Sequence, residues 1–124
     1  LKYGYVPLKD KVYQSYVSNT LEYAFDDWCL SQASKELGKE KDYKNFKNRS
    51  DNWRNIFDSE SRFMRPKNSD GTWYKPFSPY RTPGFVEGNS WQFSWFVPHD
   101  MKGLVKAIGK DLFVSRLDSA MQQS

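Results

Sequence analysis

The segment Glu87-Gly-Asn-Ser-Trp-Gln-Phe-Ser-Trp-Phe-Val-Pro-His-Asp100 sets one carboxylate two residues ahead of an aromatic-loaded stretch. Asn89 and Gln92 stand at capping-box spacing, which predicts a helix starting at Asn89. Glu87 then lies outside that helix, with its side chain free to point into a cavity. Trp91 and Trp95 follow one helical turn apart on one face. A carboxyl beside flat aromatic surface suits a site that cleaves sugars. The plainer reading is an exposed loop acid next to a core helix. Hydrolysis with inversion requires two carboxyl groups about 6.5–9.5 Å apart, one to protonate the leaving oxygen and one to activate water. A helix N-terminus favours the ionised carboxylate, so a proton donor at Glu87 needs burial against rings such as Phe85 and Trp91 to oppose it.

The other polar candidates read as structural. Asp26 and Asp27 sit well inside the first helix, away from Glu87, and are expected to bond to neighbouring elements. Adjacent residues rarely bond each other's side chains, so Asp100 is expected to cap a helix rather than pair with His99. Asp58, Glu60 and Asp70 lack the alternating acidic spacing and glutamate of a calcium-binding EF-hand loop, which leaves turn chemistry. His99 is the only histidine, which excludes a His-rich metal site, and there is no zinc spacing, phosphate loop or nucleophile constellation. Cys29 is the only cysteine and forms no internal disulfide. Between Trp28 and Leu30 it is expected to be a buried thiol.

Several elements must position these groups. A first helix is expected from Ser18 to Leu37, with Asn19 and Glu22 at capping-box spacing and Gly38 as the stop. Leu21, Ala24, Phe25, Trp28 and Cys29 recur at helical period, and Tyr23, Leu30 and Ala33 widen the stripe to a face touched on several sides. A second helix is expected from Asp42 to Phe57. Its stripe of Tyr43, Phe46, Ser50, Trp53 and Phe57 is narrow, so its back faces water. Residues 58–86 have no helical period, and Pro66, Pro76, Pro79 and Pro83 interrupt them. Asp70-Gly71 is placed to turn a short β-hairpin between 62–65 and 72–74. The aromatics of this stretch predict an ordered loop packed over one end of the domain. Asn89–Val97 is apolar almost all round and reads as a buried helix ended by Pro98. Asp100 is expected to cap a short helix ending near Gly109, and a last helix runs from about Asp111 to Gln122 with Leu112, Phe113, Leu117, Ala120 and Met121 inward.

The resulting fold class is all-α. Alternating buried and half-exposed helices, in two helical hairpins, match part of a toroid whose inner helices share one rim. Ser18–Thr20 and Glu87–Asn89 would face the same mouth.

The chain has 124 residues, 18% of them aromatic, and a formal net charge of +4. That aromatic content excludes a disordered segment. The mild basic excess is partly local: residues 35–54 carry seven basic and four acidic side chains, interleaved as on a solvated helix face. Nucleic-acid binding is therefore not expected. No run of about 18 apolar residues exists to span a membrane. The chain opens on Leu1 with no signal-peptide pattern and reads as a piece of something longer.

Three segments, VSNTLEYAFDDWCLSQASKELGK, FDSESRFMRPKNSDGTWYKPFSP and EGNSWQFSWFVPHDMKGLV, strongly resemble glycoside hydrolase family 92 over nearly the whole chain. That family comprises bacterial, calcium-dependent, exo-acting α-mannosidases that work by inversion, with an N-terminal β-sandwich and an (α/α)6 barrel. The resemblance implies that residues 1–124 are part of the barrel and that Glu87, in the Glu-Gly-Asn-x-Trp-Gln motif, is the general acid. It makes Asn89 and Trp91 members of the substrate-binding wall. The family's calcium ligands and catalytic base lie in downstream motifs, a His-Gly-Asn-Glu-Pro run and a Gly-Asn-(Glu/Asp)-Asp run, that are absent from this chain. The expected partners are a mannose-containing glycan, α-1,2-linked, and the rest of the parent chain. The expected location is outside the cytoplasm. Alone, the piece is expected to be inactive, and its uncovered apolar seams predict self-association. The alternative is a stand-alone helical module that binds sugar or protein through its aromatic loop.

Overall fold

The structure is a computed structural model that describes residues 2–8 and 15–122. Helix α1 spans Tyr16–Glu36 and α2 spans Glu40–Arg49. A 3-10 segment, Ser50–Ile56, leads into strand β1, Phe57–Asp58, which pairs antiparallel with β2, Phe63–Met64. A long irregular segment follows, then α3 (Ser90–Phe93), α4 (Met101–Ile108) and α5 (Lys110–Gln122). The all-α expectation, with a long loop carrying a small β element, holds at this level.

Helix α1 starts two residues before the expected Ser18, and Asn19 does not cap it. Ser15 flanks the start without a side-chain cap. The Gly84 carbonyl does the capping instead, accepting from the amides of Val17 (2.9 Å) and Ser18 (3.3 Å). These amides have no acceptor within their own helix. The stop is as expected: Gly38, at φ +67, follows the Leu37 cap and bonds back to the Lys35 carbonyl. The wide apolar face is only half used. Leu21 and Ala24 are buried, whereas Tyr23 and Leu30 are 44% and 48% exposed and Cys29 is exposed rather than buried. Small polar residues, Ser18, Thr20, Ser31 and Ser34, take up much of the buried side.

The second helix ends at Arg49 and tightens to 3-10 geometry, so Phe57 falls in a strand and not in the expected last helical turn. Ser50 Oγ donates to the Lys47 carbonyl at 2.7 Å, a bond that competes with continued helix. Trp53 and Ile56, on the tightened segment, are almost fully buried. With Val17, Leu21, Met64, Val97, Leu104 and Ile108 they form the core. The narrow stripe is real, since none of α2's own residues is fully buried.

Asp27 ties α1 to α2. Its carboxylate takes Arg49 Nη2 at 2.9 Å and Nε at 3.0 Å. Burial pushes the Asp27 carboxyl above its ordinary value, and Arg49 offsets only part of that. This is the structural role expected of it.

More than one small pairing occupies the loop region where one was expected. Besides β1–β2, an antiparallel bridge joins Lys67 and Trp73 across the Asp70-Gly71 turn. Asp70 Oδ1 accepts from the Thr72 amide at 2.9 Å and holds that turn. Arg62–Arg65 therefore pairs with 57–58, not with 72–74.

The helix expected over Asn89–Val97 is a single turn. Ser90 Oγ donates to the Met64 carbonyl (2.6 Å) and Ser94 Oγ accepts the Met64 amide (2.8 Å). These bonds fasten the turn to β2, and tight turns at Phe96 and Val97 carry the chain away. Trp91, Phe93, Trp95 and Phe96 are half-buried rather than enclosed. Asp100 caps α4 through the Gly103 amide at 2.9 Å, as expected, and also binds Arg54 at 2.7 Å. His99 instead bonds the Ser50 carbonyl at 2.8 Å. Gly109 ends α4 at φ +90. Helix α5 buries no residue fully, and Leu117 and Met121 stand 43% and 70% exposed where an inward position was expected.

Candidate active site

Glu87 lies on the segment that joins the N-terminus of α1 to α3. Gly84 caps α1, and two residues later the Val86 amide donates to Ser18 Oγ at 3.0 Å. Residues 84–86 are thus laced to the first turn of α1, bringing Ser18 and the Glu87 segment together at one end of the fold. Asn89 Oδ1 accepts the Gln92 amide at 3.0 Å, so α3 starts where the capping-box spacing places it. Glu87 falls just outside the helix, as the sequence predicts.

The backbone at Glu87 is unusual. Its φ is +47, a left-handed conformation that costs a residue with a Cβ roughly 1–2 kcal/mol. Such positions persist only where the surroundings over-determine them, and they cluster at functional sites. Gly88 shows why the surroundings are strict. A Cβ there would lie 2.7 Å from a Phe93 ring carbon and 2.9 Å from Gln92 Oε1. Only glycine lets the chain pass this closely under Phe93.

Glu87 is exposed, and among the described residues its carboxylate has no ion pair or side-chain hydrogen bond. The rings expected to enclose it are engaged elsewhere. Phe85 packs on Phe93, with centroids 5.7 Å apart, and Trp91 lies between Phe63 at 6.0 Å and Tyr80 at 5.8 Å. The opposing dipole is also weaker than expected, because one turn aligns few peptide units. Glu87 is therefore a carboxylate held rigidly by its backbone with an open side chain.

Asn89 and Trp91 differ in availability. The Asn89 oxygen is committed to its cap. Trp91 is half-buried, and its amide donates to the Pro79 carbonyl at 2.9 Å, pinning the loop that carries Tyr80. Tyr80 stacks on Trp91 at an interplanar angle of 30° and is 57% exposed. Tyr80 had no signal in the sequence beyond its place in an aromatic-rich loop. Nor did Gly84, whose contact with α1 crosses more than sixty residues.

A second polar group lies in the β1–β2 turn. Asp58 accepts from the Glu60 amide (3.1 Å), the Ser61 amide (3.2 Å) and Arg65 Nη1 (2.8 Å). Arg65 also bonds the Tyr74 carbonyl at 2.9 Å and lies 4.3 Å from the Phe77 ring centroid. Burial pushes the Asp58 carboxyl up, but hydrogen bonds from Ser61, Arg65 and Glu60 outweigh it and hold it below its ordinary 3.8. With its partners filled, Asp58 is a turn and core residue and not a second catalytic carboxyl. Among the described residues no three His, Cys, Asp or Glu side chains converge as metal ligands. No helix among them is long and apolar enough to cross a membrane.

The glycosyl hydrolase family 92 catalytic domain model matches residues 1–124. A protein from Arthroderma benhamiae described as an uncharacterized secreted glycosidase is 30% identical over 93% of this chain and 19% of its own length. A family 92 α-mannosidase from Bacteroides thetaiotaomicron superposes with a TM-score of 0.88 at 44% identity, covering 94% of this chain and 15% of that one. A family 92 inverting mannosidase from the same organism gives 0.89 at 35% identity, covering 95% and 16%. The chain thus spans about a fifth or less of the length of these relatives.

Proposed function

Because this chain belongs to glycosyl hydrolase family 92, we propose that it is part of the catalytic (α/α)6 barrel of an exported exo-α-mannosidase and carries that enzyme's general acid, Glu87. The reaction removes terminal α-linked mannose, α-1,2-linked, with inversion. Glu87 protonates the departing glycosidic oxygen while a carboxylate elsewhere in the whole enzyme activates water on the opposite face of the sugar. Trp91 forms part of the wall beside the scissile bond, and Asn89 holds the turn that presents Glu87. The observation that carries the reading is Glu87 itself. It is an acid in a left-handed backbone conformation, braced from both sides and exposed in this chain, and the burial that a proton donor needs comes from the rest of the barrel.

The calcium that the resemblance implies does not fit the described residues, which offer no donor cluster. Its ligands are assigned to other segments of the enzyme, and no step is routed through it here.

The full-length enzyme is expected to release mannose from an α-1,2-linked mannobiose, with β-mannose as the first product seen by proton NMR. Release of α-mannose first would overturn the inverting assignment, and no release would overturn the activity. Residues 1–124 alone, given calcium and the same substrate, are expected to release none, because the opposing carboxylate is missing. Turnover by this piece would show that it holds a complete site.

Tyr23 and Leu30 on α1, and Val114, Leu117 and Met121 on α5, are 43–70% exposed, and large apolar side chains left in water on a helix face favour association. In the enzyme the rest of the barrel covers it. Residues 1–124 alone should therefore self-associate, with sedimentation velocity giving a mass above 14.7 kDa that rises with concentration. A compact monomer at all concentrations would contradict this.

A further inference from the structure

We infer that Ser18, in the first turn of α1, is a positioning residue for Glu87. This rests on the general-acid reading of Glu87 and adds the device that aims it.

Glu87 is a non-glycine residue at φ +47, so its neighbours must hold it there. Downstream, Gly88 leaves no room for a Cβ beneath Phe93 and Gln92, which fixes the chain on that side. Upstream, hydrogen bonds run in two directions between α1 and the loop. The Val17 and Ser18 amides donate to the Gly84 carbonyl, and Ser18 Oγ accepts the Val86 amide at 3.0 Å. The second of these lies one residue before Glu87 and depends on a side chain. It fixes the Phe85–Val86 peptide, one unit before the peptide that enters the left-handed residue. Gly84 is itself confined, since a Cβ there would stand 3.0 Å from the Tyr16 ring and 3.2 Å from Val17. Ser18 is only 2% exposed, so its hydroxyl serves the interior rather than solvent.

Removing the hydroxyl leaves the Val86 amide without its acceptor and loosens the loop at the point that sets the direction of Glu87. A proton donor displaced by a fraction of an ångström loses rate without losing substrate affinity. The loss should appear only where protonation of the leaving group matters.

The test uses the full-length enzyme with two substrates, an α-linked mannobiose and an activated aryl α-mannoside. Ser18→Ala should lower kcat on the mannobiose by roughly ten- to a hundredfold, leave KM within about twofold, and change the aryl substrate little. Ser18→Thr retains the oxygen and Ser18→Val has the same shape without it, so Thr should be markedly the faster of the two on the mannobiose. Wild-type kcat on both substrates in Ser18→Ala would overturn the inference. So would equal losses on both, which mark a general structural defect, or a Thr variant no faster than Val. Glu87→Gln assayed on the same pair separates the two ideas. If it too fails to discriminate between the substrates, the general-acid reading falls and takes this inference with it. If it discriminates and Ser18→Ala does not, only the role of Ser18 is lost.

Discussion

Glu87→Gln in the full-length enzyme should slow mannose release from an α-linked mannobiose by roughly 10²–10⁴-fold, the contribution expected of a positioned general acid. The substitution preserves shape and removes only the transferable proton. KM should therefore change little, because the amide still fills the space of the carboxyl. An activated aryl mannoside departs with little protonation and should lose far less. Equal losses on both substrates would count against proton donation by Glu87 and would favour a binding role. The size of the effect depends on the backbone as much as on the carboxyl. Glu87 is exposed and, among the described residues, unpaired, so its direction comes from the braced peptides on either side.

Asp58→Ala is expected to be the most costly substitution for stability. Asp58 and Arg65 are 4% and 8% exposed, and their 2.8 Å bond closes the turn that precedes β2. Truncating one partner strands the other charge inside, which costs about 3–5 kcal/mol. Chemical denaturation should show this loss, and a loss below about 1 kcal/mol would mean that water or another group satisfies Arg65 readily. Adding Arg65→Met to Asp58→Ala should recover part of the loss, because the buried charge is then gone. It should not recover all of it, since the Tyr74 carbonyl also loses its Arg65 donor. The same pair gives a pH dependence. The Asp58 carboxyl is held below its unfolded value of 3.8. In that window the unfolded chain binds more protons, so stability rises with pH. The Asp58 contribution is complete above 3.8 and is lost as pH falls through the depressed folded value. Asp58→Asn should abolish that part of the acid sensitivity.

What could be read from the sequence was local. Asp100 and Gly109 bracket α4, and Asn89 starts α3, because caps depend on residues a few positions away. Glu87 could be placed outside a helix for the same reason. The length of α3 could not be read, because Ser90 and Ser94 spend their hydroxyls on Met64, about thirty positions upstream. Aromatic content made Asn89–Val97 look like a buried helix, yet those rings serve as half-exposed packing around a turn. Cys29, Leu117 and Met121 stand exposed where the sequence places them inward, because hydrophobic period predicts which face meets a partner but not whether the partner is present. Helix α1 starts earlier than its local sequence signals because its cap is a loop carbonyl, Gly84, more than sixty residues away. The same distance hid the link from Ser18 to Val86, and with it the brace on the candidate acid.

The central claim is that Glu87 donates the proton. The alkaline limb of a kcat/KM profile reports deprotonation of the essential acid in the free enzyme. Measured on an unactivated α-mannoside, the wild-type enzyme should show that limb and Glu87→Gln should lack it, leaving a profile that stays flat as pH rises. A Glu87→Gln profile that keeps the alkaline limb at the wild-type midpoint would place the acid on another residue and contradict the account.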